Sequence, residues 1–344
     1  MDTIHRLLHN NIKERGLYYG KAGEVLLLYS LFQMTGDTGF QKKAINNLNE
    51  ISEHIAGVED LGFAEGLAGI GWAIEWVAQN NFLEIDTNEV LEDIDNILYK
   101  SVIFSSDNNI SLHNGTLGKF LYFLSRYKSK NPGNIRLKNI FQEECLILLT
   151  DDLYEKICGE NGLLHKENLS GEDLVSLGHA IYFLSDFLWL KLNEPTVETL
   201  LYNCIIFINK FFENVEILSL EKRYIPYYKF LTACYYLASE NHKNSYWRDR
   251  AEFFYKMLNC EDSEYDSENL NSLYNLFYLL IFKKKHSRHS EIDLDQLEIC
   301  LSNKNGKLLL FEIMKQGCVN NNPKQPIELM LMLESKNLMP ISTA

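Results

Sequence analysis

Apolar residues recur at helical spacing along most of the chain. Val25, Leu28, Tyr29 and Phe32 fall at i, i+3, i+4 and i+7, Leu117, Leu121 and Leu124 continue the pattern, and Ile181, Leu184, Ser185 and Leu188 repeat it. Nowhere does a convincing period-two alternation of strands appear. Short punctuating stretches, Thr35-Gly36-Asp37-Thr38-Gly39, Asn80-Asn81 and Lys130-Asn131-Pro132-Gly133, separate the apolar segments. The pattern predicts an all-α protein of ordinary-length helices joined by short loops.

The helical segments are repeats. Gly16-Leu-Tyr-Tyr-Gly20-Lys-Ala-Gly23, Gly62-Phe-Ala-Glu-Gly66-Leu-Ala-Gly69 and Ser111-Leu-His-Asn-Gly115-Thr-Leu-Gly118 share one pattern, and each opens an apolar helix. Steps of 46 and 49 residues separate Gly20, Gly66 and Gly115, a hairpin-sized period. Gly118 to Ser125 is echoed by Gly178 to Ser185, then more loosely by Leu231 to Ala238, by Leu273 or Tyr274 to Leu280, and by Pro326 to Glu334. Seven such windows, one to each hairpin of about 49 residues, would use all 344 residues. The expectation is therefore a single domain, 1–344, of about 14 helices in two concentric rings, with Gly20, Gly66, Gly115 and Gly178 near the starts of inner helices. Glycines at this spacing allow tight turns and let neighbouring helix ends crowd together, and the amides at those ends could meet an anion or a polar group.

Composition narrows the function. With 33 basic against 47 acidic residues the net charge is −14, which disfavours a grip on nucleic acid. No apolar run reaches the length of a membrane span, and residues 1–11 lack the apolar stretch of a signal peptide, so a cytoplasmic location is expected. Seven cysteines (145, 158, 204, 234, 260, 300 and 318) are scattered without a CxxC pair, the pattern of core thiols rather than a disulfide framework. Gly-x-Gly-x-x-Gly, P-loop, Gly-x-Ser-x-Gly and His-Glu-x-x-His motifs are all missing.

GLYYGKAG, GFAEGLAGIGW and the Thr-Gly-Asp turn resemble the first repeats of the lanthionine synthetase C-like (LanC-like) family. The likeness runs the full chain, specific in the first two repeats, fair in the third, and carried by periodicity in the fourth to seventh. It implies an α/α toroid of seven inner and seven outer helices. It also implies, for active cyclases, a central zinc that activates peptide cysteine thiols for addition to dehydrated Ser or Thr. Zinc suits that task because a soft d¹⁰ ion binds thiolate and lowers its pKa.

At the chemical positions this sequence departs from the family. Pro226 stands where the fifth hairpin would carry a cysteine ligand, and the sixth window, Glu268 to Leu273, has neither the cysteine nor the histidine of the expected pair. Ser111 replaces an aspartate and Leu174 a histidine. The expected cofactor list is therefore empty, with zinc implied by the family but unmatched here. Relocated ligands would have to come from Cys158, His165, His179, Cys204, Cys234 or His113, none at diagnostic spacing, while His286 and His289 lie in a basic run that reads as a solvated loop.

Weak catalytic candidates are Glu65 and Glu24, which enter the first turns of repeats, together with His113 and His179. An acid and base carboxyl pair is used by glycan-active α/α barrels, but acidic residues in a first helical turn also simply favour the helix dipole. Tyr18, Tyr19, Phe63, His113, Tyr227 and Tyr228 fall at or beside helix starts and form a candidate peptide-binding surface, with core filling as the alternative. The leading expectation is a non-catalytic peptide-binding or scaffolding component of lanthipeptide-type modification, whose partners are a precursor peptide and its modifying enzyme. The alternative is a divergent enzyme, either a cyclase with relocated zinc ligands or a hydrolase or lyase using rim carboxylates. An orphaned scaffold without a peptide partner is the third reading.

Overall fold

The computed structural model describes residues 14–104, 108–131, 136–214 and 222–258. Its α-helices are α1 (Lys21–Thr35), α2 (Thr38–His54), α3 (Leu67–Gln79), α4 (Thr87–Val90), α5 (Glu92–Phe104), α6 (Thr116–Lys128), α7 (Arg136–Cys158), α8 (Gly171–Phe187), α9 (Glu194–Asn214), α10 (Ile225–His242) and α11 (Ser245–Leu258). Among the described residues there is no strand, as the periodicity predicts. The sixth and seventh repeat windows, Cys260, Cys300, Cys318, His286 and His289 lie outside the described residues. Contacts divide the described chain into two compact units, one from residues 14–104 and 113–145, the other from 108–112 and 146–258.

In the first unit α1 pairs with α2 as a hairpin and also packs on α3, which in turn meets α5 and α6. The inner helices are enclosed on most sides: α3 buries Leu67 to Ala73 without a break, then Glu75, Trp76 and Val77. Its partner layer is amphipathic, α2 burying Phe40, Ala44, Asn47 and Ile51 at helical spacing. The predicted Thr-Gly-Asp turn joins them. Gly36 takes a left-handed φ of 71° and caps α1 by donating its N–H to the Phe32 carbonyl (2.7 Å), while Asp37 caps α2 by accepting the Gly39 N–H (2.8 Å).

A buried ion cluster ties this unit together. The Arg126 guanidinium from α6 reaches Glu75 of α3 (2.5 Å), Asp95 of α5 (2.8 Å), and Thr87 (3.0 Å) and Asn88 (3.3 Å) of α4. Every N–H of the guanidinium has an acceptor, because its Nε also donates to Asp95 (3.1 Å). The carboxylates are matched in turn: Tyr122 donates to Asp95 (2.6 Å) and Gln79 to Glu75 (2.7 Å). Burial works against the charge on Arg126, but the hydrogen bonds and charge of Asp95 outweigh it and hold the guanidinium above its ordinary range. Burial, with Asp95 beside it, likewise pushes the Tyr122 phenol well up.

In the second unit α8 packs on α9 and α10, and α10 on α11. Ser170 and Asp173 form a capping box at the start of α8, and Lys166 pairs with Asp173 (2.7 Å). This corrects the expectation for Gly178, which lies well inside α8 rather than near its start. By alignment with Gly115 and Gly118, Val175 replaces the first glycine of the pair, so the chain makes no tight return there and the helix runs back to the Ser170 cap. Gly178 instead permits close approach, since a Cβ would meet the Phe230 ring at 2.9 Å and the Cys234 sulfur at 3.3 Å. Cys145, Cys204 and Cys234 are buried and Cys158 half-buried, and all are free thiols pushed up by burial.

Removing Arg126 alone leaves two carboxylates buried without their counter-charge. Arg126→Met should therefore cost about 3–5 kcal/mol in urea unfolding, and combining it with Glu75→Gln and Asp95→Asn should cost less than Arg126→Met by itself.

Candidate functional site

The loops that precede α1, α3 and α6 form one repeated construction. In the first repeat the N–H groups of Leu17 and Tyr18 both donate to the Ala64 carbonyl of the second (2.9 and 2.8 Å), and there the N–H groups of Phe63 and Ala64 both donate to the His113 carbonyl of the third (2.7 and 2.8 Å). Within the first and second repeats the loop closes on its own helix in the same way, Lys21 N–H on the Glu14 carbonyl and Leu67 N–H on the Asp60 carbonyl (both 2.9 Å). So tight a return leaves no room for a side chain at Gly66, whose Cβ would overlap the Asp60 carbonyl and the Gly62 nitrogen. Gly20 is crowded likewise, by the backbone of Arg15 and Gly16. The repeat glycines thus serve backbone packing.

Glu65 occupies the centre of this arrangement. Its Oε1 accepts the Tyr19 N–H (3.0 Å), and its other oxygen lies where a Cβ on Gly16 would stand. Burial raises its pKa to about 7, with Asp60 and Glu14 adding to the rise while the Tyr19 and Tyr18 amides oppose it. Asp60 itself accepts the Gly62 N–H (2.7 Å).

The candidate aromatic residues divide by exposure. Tyr19 is 42% exposed, whereas Tyr18 (1%) and Phe63 (0%) are packed inward. The Tyr18 ring meets the half-buried His113 ring edge-on at 5.0 Å, and Phe63 tilts against Trp72 at 5.6 Å. Glu24 does not face these loops: on α1 it is paired with Lys43 (2.5 Å) and Asn47 (2.8 Å) of α2, as a structural carboxylate. Beside it Lys21 pairs with Glu50.

In the second unit Tyr227 is half-buried at the start of α10 and crowds Gly171, where a Cβ would lie 2.6 Å from its ring. Tyr228 is 8% exposed and packs among Phe211, Phe212 and Tyr224. His179 is buried in α8 between Phe183, stacked at 5.8 Å, and the edge of Phe230 at 5.1 Å.

The sequence singled out Glu65 and Tyr19 separately without pairing them, and it did not single out Asn114. Asn114 stands at the column of Glu65, directly before the repeat glycine, and its Oδ1 would lie 2.7 Å from a Cβ on Gly62. The signal was a polar residue recurring at that column.

Residues 11–221 match the family described as Lanthionine synthetase C-like protein. The chain belongs to the LanC-like family. A solved structure titled "Nisin cyclase" has a similar fold, with a TM-score of 0.55 and 14% identity over 96% of this chain and 97% of that one. No curated protein matches the chain. The all-α class is that of the fold likeness, and the α/α toroid is consistent with it.

Of the family's three expected zinc-ligand positions one lies among the described residues, that of Pro226, and its residue does not fit a metal; the pair in the sixth window lies outside the described residues. Pro226 is buried in the first turn of α10 and its side chain carries no donor atom; Leu174, at the family's further catalytic histidine position rather than a zinc position, is buried in α8. Ser111 is buried too, its N–H bound to Asn109 (2.8 Å). Among the described residues no group of three or more His, Cys, Asp or Glu could hold a metal ion. That includes the candidate relocated ligands Cys158, His165, His179, Cys204, Cys234 and His113. No described helix is long and apolar enough to cross a membrane.

A methyl group at Gly66 should be costly because only backbone can give way. Gly66→Ala should lose about 1–3 kcal/mol in thermal or urea unfolding, against little change for Gly57→Ala, where nothing lies within 4 Å. Glu65 gives a pH signature. Its folded pKa of about 7 exceeds the ordinary 4.5, so its contribution to stability is full below about pH 4.5 and is lost as pH rises to about 7. The melting temperature of wild type relative to Glu65→Gln should fall across that window and level off above it.

Proposed function

We propose that this LanC-like protein binds a peptide without catalysing thioether formation, as a component of lanthipeptide-type modification. Family membership supports the peptide context, and buried Pro226 at a position where the family needs a metal-binding thiol is the observation that carries the loss of chemistry. The contact surface in this reading is the exposed rim of the repeat loops, Tyr19 with the partly exposed His113, while buried Tyr18 and Phe63 shape it from beneath. Partners are a precursor peptide and its modifying enzyme, and the location is cytoplasmic. With a net charge of −14, a basic or neutral peptide associates faster than an acidic one, most clearly at low salt. We read residues 1–344 as a single domain.

A second reading, a divergent enzyme using a rim carboxyl, is favoured by one observation: Glu65 has a pKa of about 7, the range suited to acid and base work.

Both readings meet in one set of measurements. Titration calorimetry with the precursor peptide should show binding that Tyr19→Ala and His113→Ala each weaken about fivefold or more. The purified chain should hold far less than one zinc, and a dehydrated peptide should remain uncyclised in its presence. Stoichiometric zinc, ring formation or an unweakened pair of variants would overturn the proposal.

A further inference from the structure

Adjacent repeats are joined twice in the same manner, but with different chemistry at one position. Between the second and third loops the residue before the repeat glycine, Asn114, lays a neutral amide against Gly62. Between the first and second loops Glu65, in the same column, lays a carboxyl against Gly16 and takes the Tyr19 N–H (3.0 Å). Only one of the two junctions therefore carries a group that titrates at that column. We infer that Glu65 is a positioning residue, whose ionisation sets how firmly the Gly16–Gly20 loop, and with it the exposed Tyr19 ring, is fastened to the second repeat.

The chemistry follows from the acceptor. An ionised carboxylate makes a stronger bond to the Tyr19 amide than a neutral carboxyl does. Burial and the charges of Asp60 and Glu14, however, disfavour the charged form in the closed loop more than that bond favours it. By linkage the loop is therefore held tighter while Glu65 is neutral and loosens as it ionises. The titratable groups that act on it are Asp60 on its own loop and Glu14 on the first, with His113 across the Tyr18 ring. Asp60 and Glu14 raise the proton affinity of Glu65, and burial adds to them, which brings the change to neutral pH. Leu17 and Tyr18 keep their bonds to the Ala64 carbonyl in either state, since no titrating atom takes part in them. The change is thus greatest at the Tyr19 amide and smaller at that of Tyr18. Its use as control of peptide contact rests on the function proposed above, whereas the clamp itself does not.

The test is the amide resonance of Tyr19 in ¹⁵N-tyrosine-labelled protein, assigned by its loss in Tyr19→Phe and followed with pH. A single downfield step on ionisation is expected, centred within about one unit of pH 7, lost in Glu65→Gln and displaced to lower pH in Asp60→Asn, which removes a neighbouring negative charge. A flat wild-type profile overturns the inference, as does a step that persists in Glu65→Gln. Should Glu65→Gln fail to fold, the displacement in Asp60→Asn decides, and an unmoved midpoint there overturns it. Peptide affinity measured over the same range should weaken as pH rises through the same step. A clear amide step with no peptide bound at any pH leaves the clamp standing and overturns the peptide-binding proposal instead.

Discussion

Four helices of the first unit are held together by one guanidinium buried away from water. Arg126 joins α3, α4, α5 and α6 because it alone can offer donors in several directions at fixed angles, and each of those helices brings it an acceptor. A hydrophobic core would tolerate rotation of one helix against its neighbour at modest cost. Here such a rotation would strand a buried carboxylate, so the cluster fixes register as well as proximity. Glu75 and Asp95 outnumber the single cation, and the balance is met by neutral donors, Gln79 and Tyr122, rather than by a second charge.

Fixed helix register is what allows the loops at the helix starts to be joined by backbone alone. One carbonyl, of Ala64 or of His113, receives two amides from the preceding repeat, an economy possible because a carbonyl oxygen has two lone pairs and the two amides are consecutive. The glycines enter as a spatial necessity of this joint. Each lies where the chain doubles back on its own helix, and the conflict at Gly66 is with backbone, which has nowhere to move. Side chains directly before the repeat glycine are then left to vary, and they do so as Tyr19, Glu65 and Asn114, one aromatic, one acid and one amide. Structural sameness of the joint and chemical variety at that column are two sides of one design.

The described thiols and histidines are placed otherwise. Burial suppresses the thiolate at Cys145, Cys204 and Cys234, and His179 is held among phenylalanines in the core of the second unit. Metal binding needs deprotonated thiols and converging donors, whereas these groups are scattered through packing layers. Polar chemistry at the repeat loops is instead amide, carboxyl and aromatic.

By itself the sequence determined the helical class, the repeat period, the Thr35 to Gly39 turn and the family, since each is written in local spacing: apolar residues every three or four positions, glycine pairs at a constant step, a left-handed cap followed by an aspartate. It also put Glu65, His113 and Tyr19 at the helix starts. What it left open needed three dimensions. Arg126, Glu75 and Asp95 lie far apart along the chain and each reads as an ordinary helix-surface charge, so nothing in their spacing revealed that they meet in the core. Glu24 looked equivalent to Glu65, and only the packing of α1 on α2 turned it toward Lys43. Gly178 looked like a helix start because its neighbours matched, yet the Ser170 cap moved that start, a choice settled by side-chain hydrogen bonds rather than by periodicity. Burial divided the aromatic candidates in the same way, since adjacent residues such as Tyr18 and Tyr19 point to opposite sides of a loop whose course is fixed by its bonds to the next repeat.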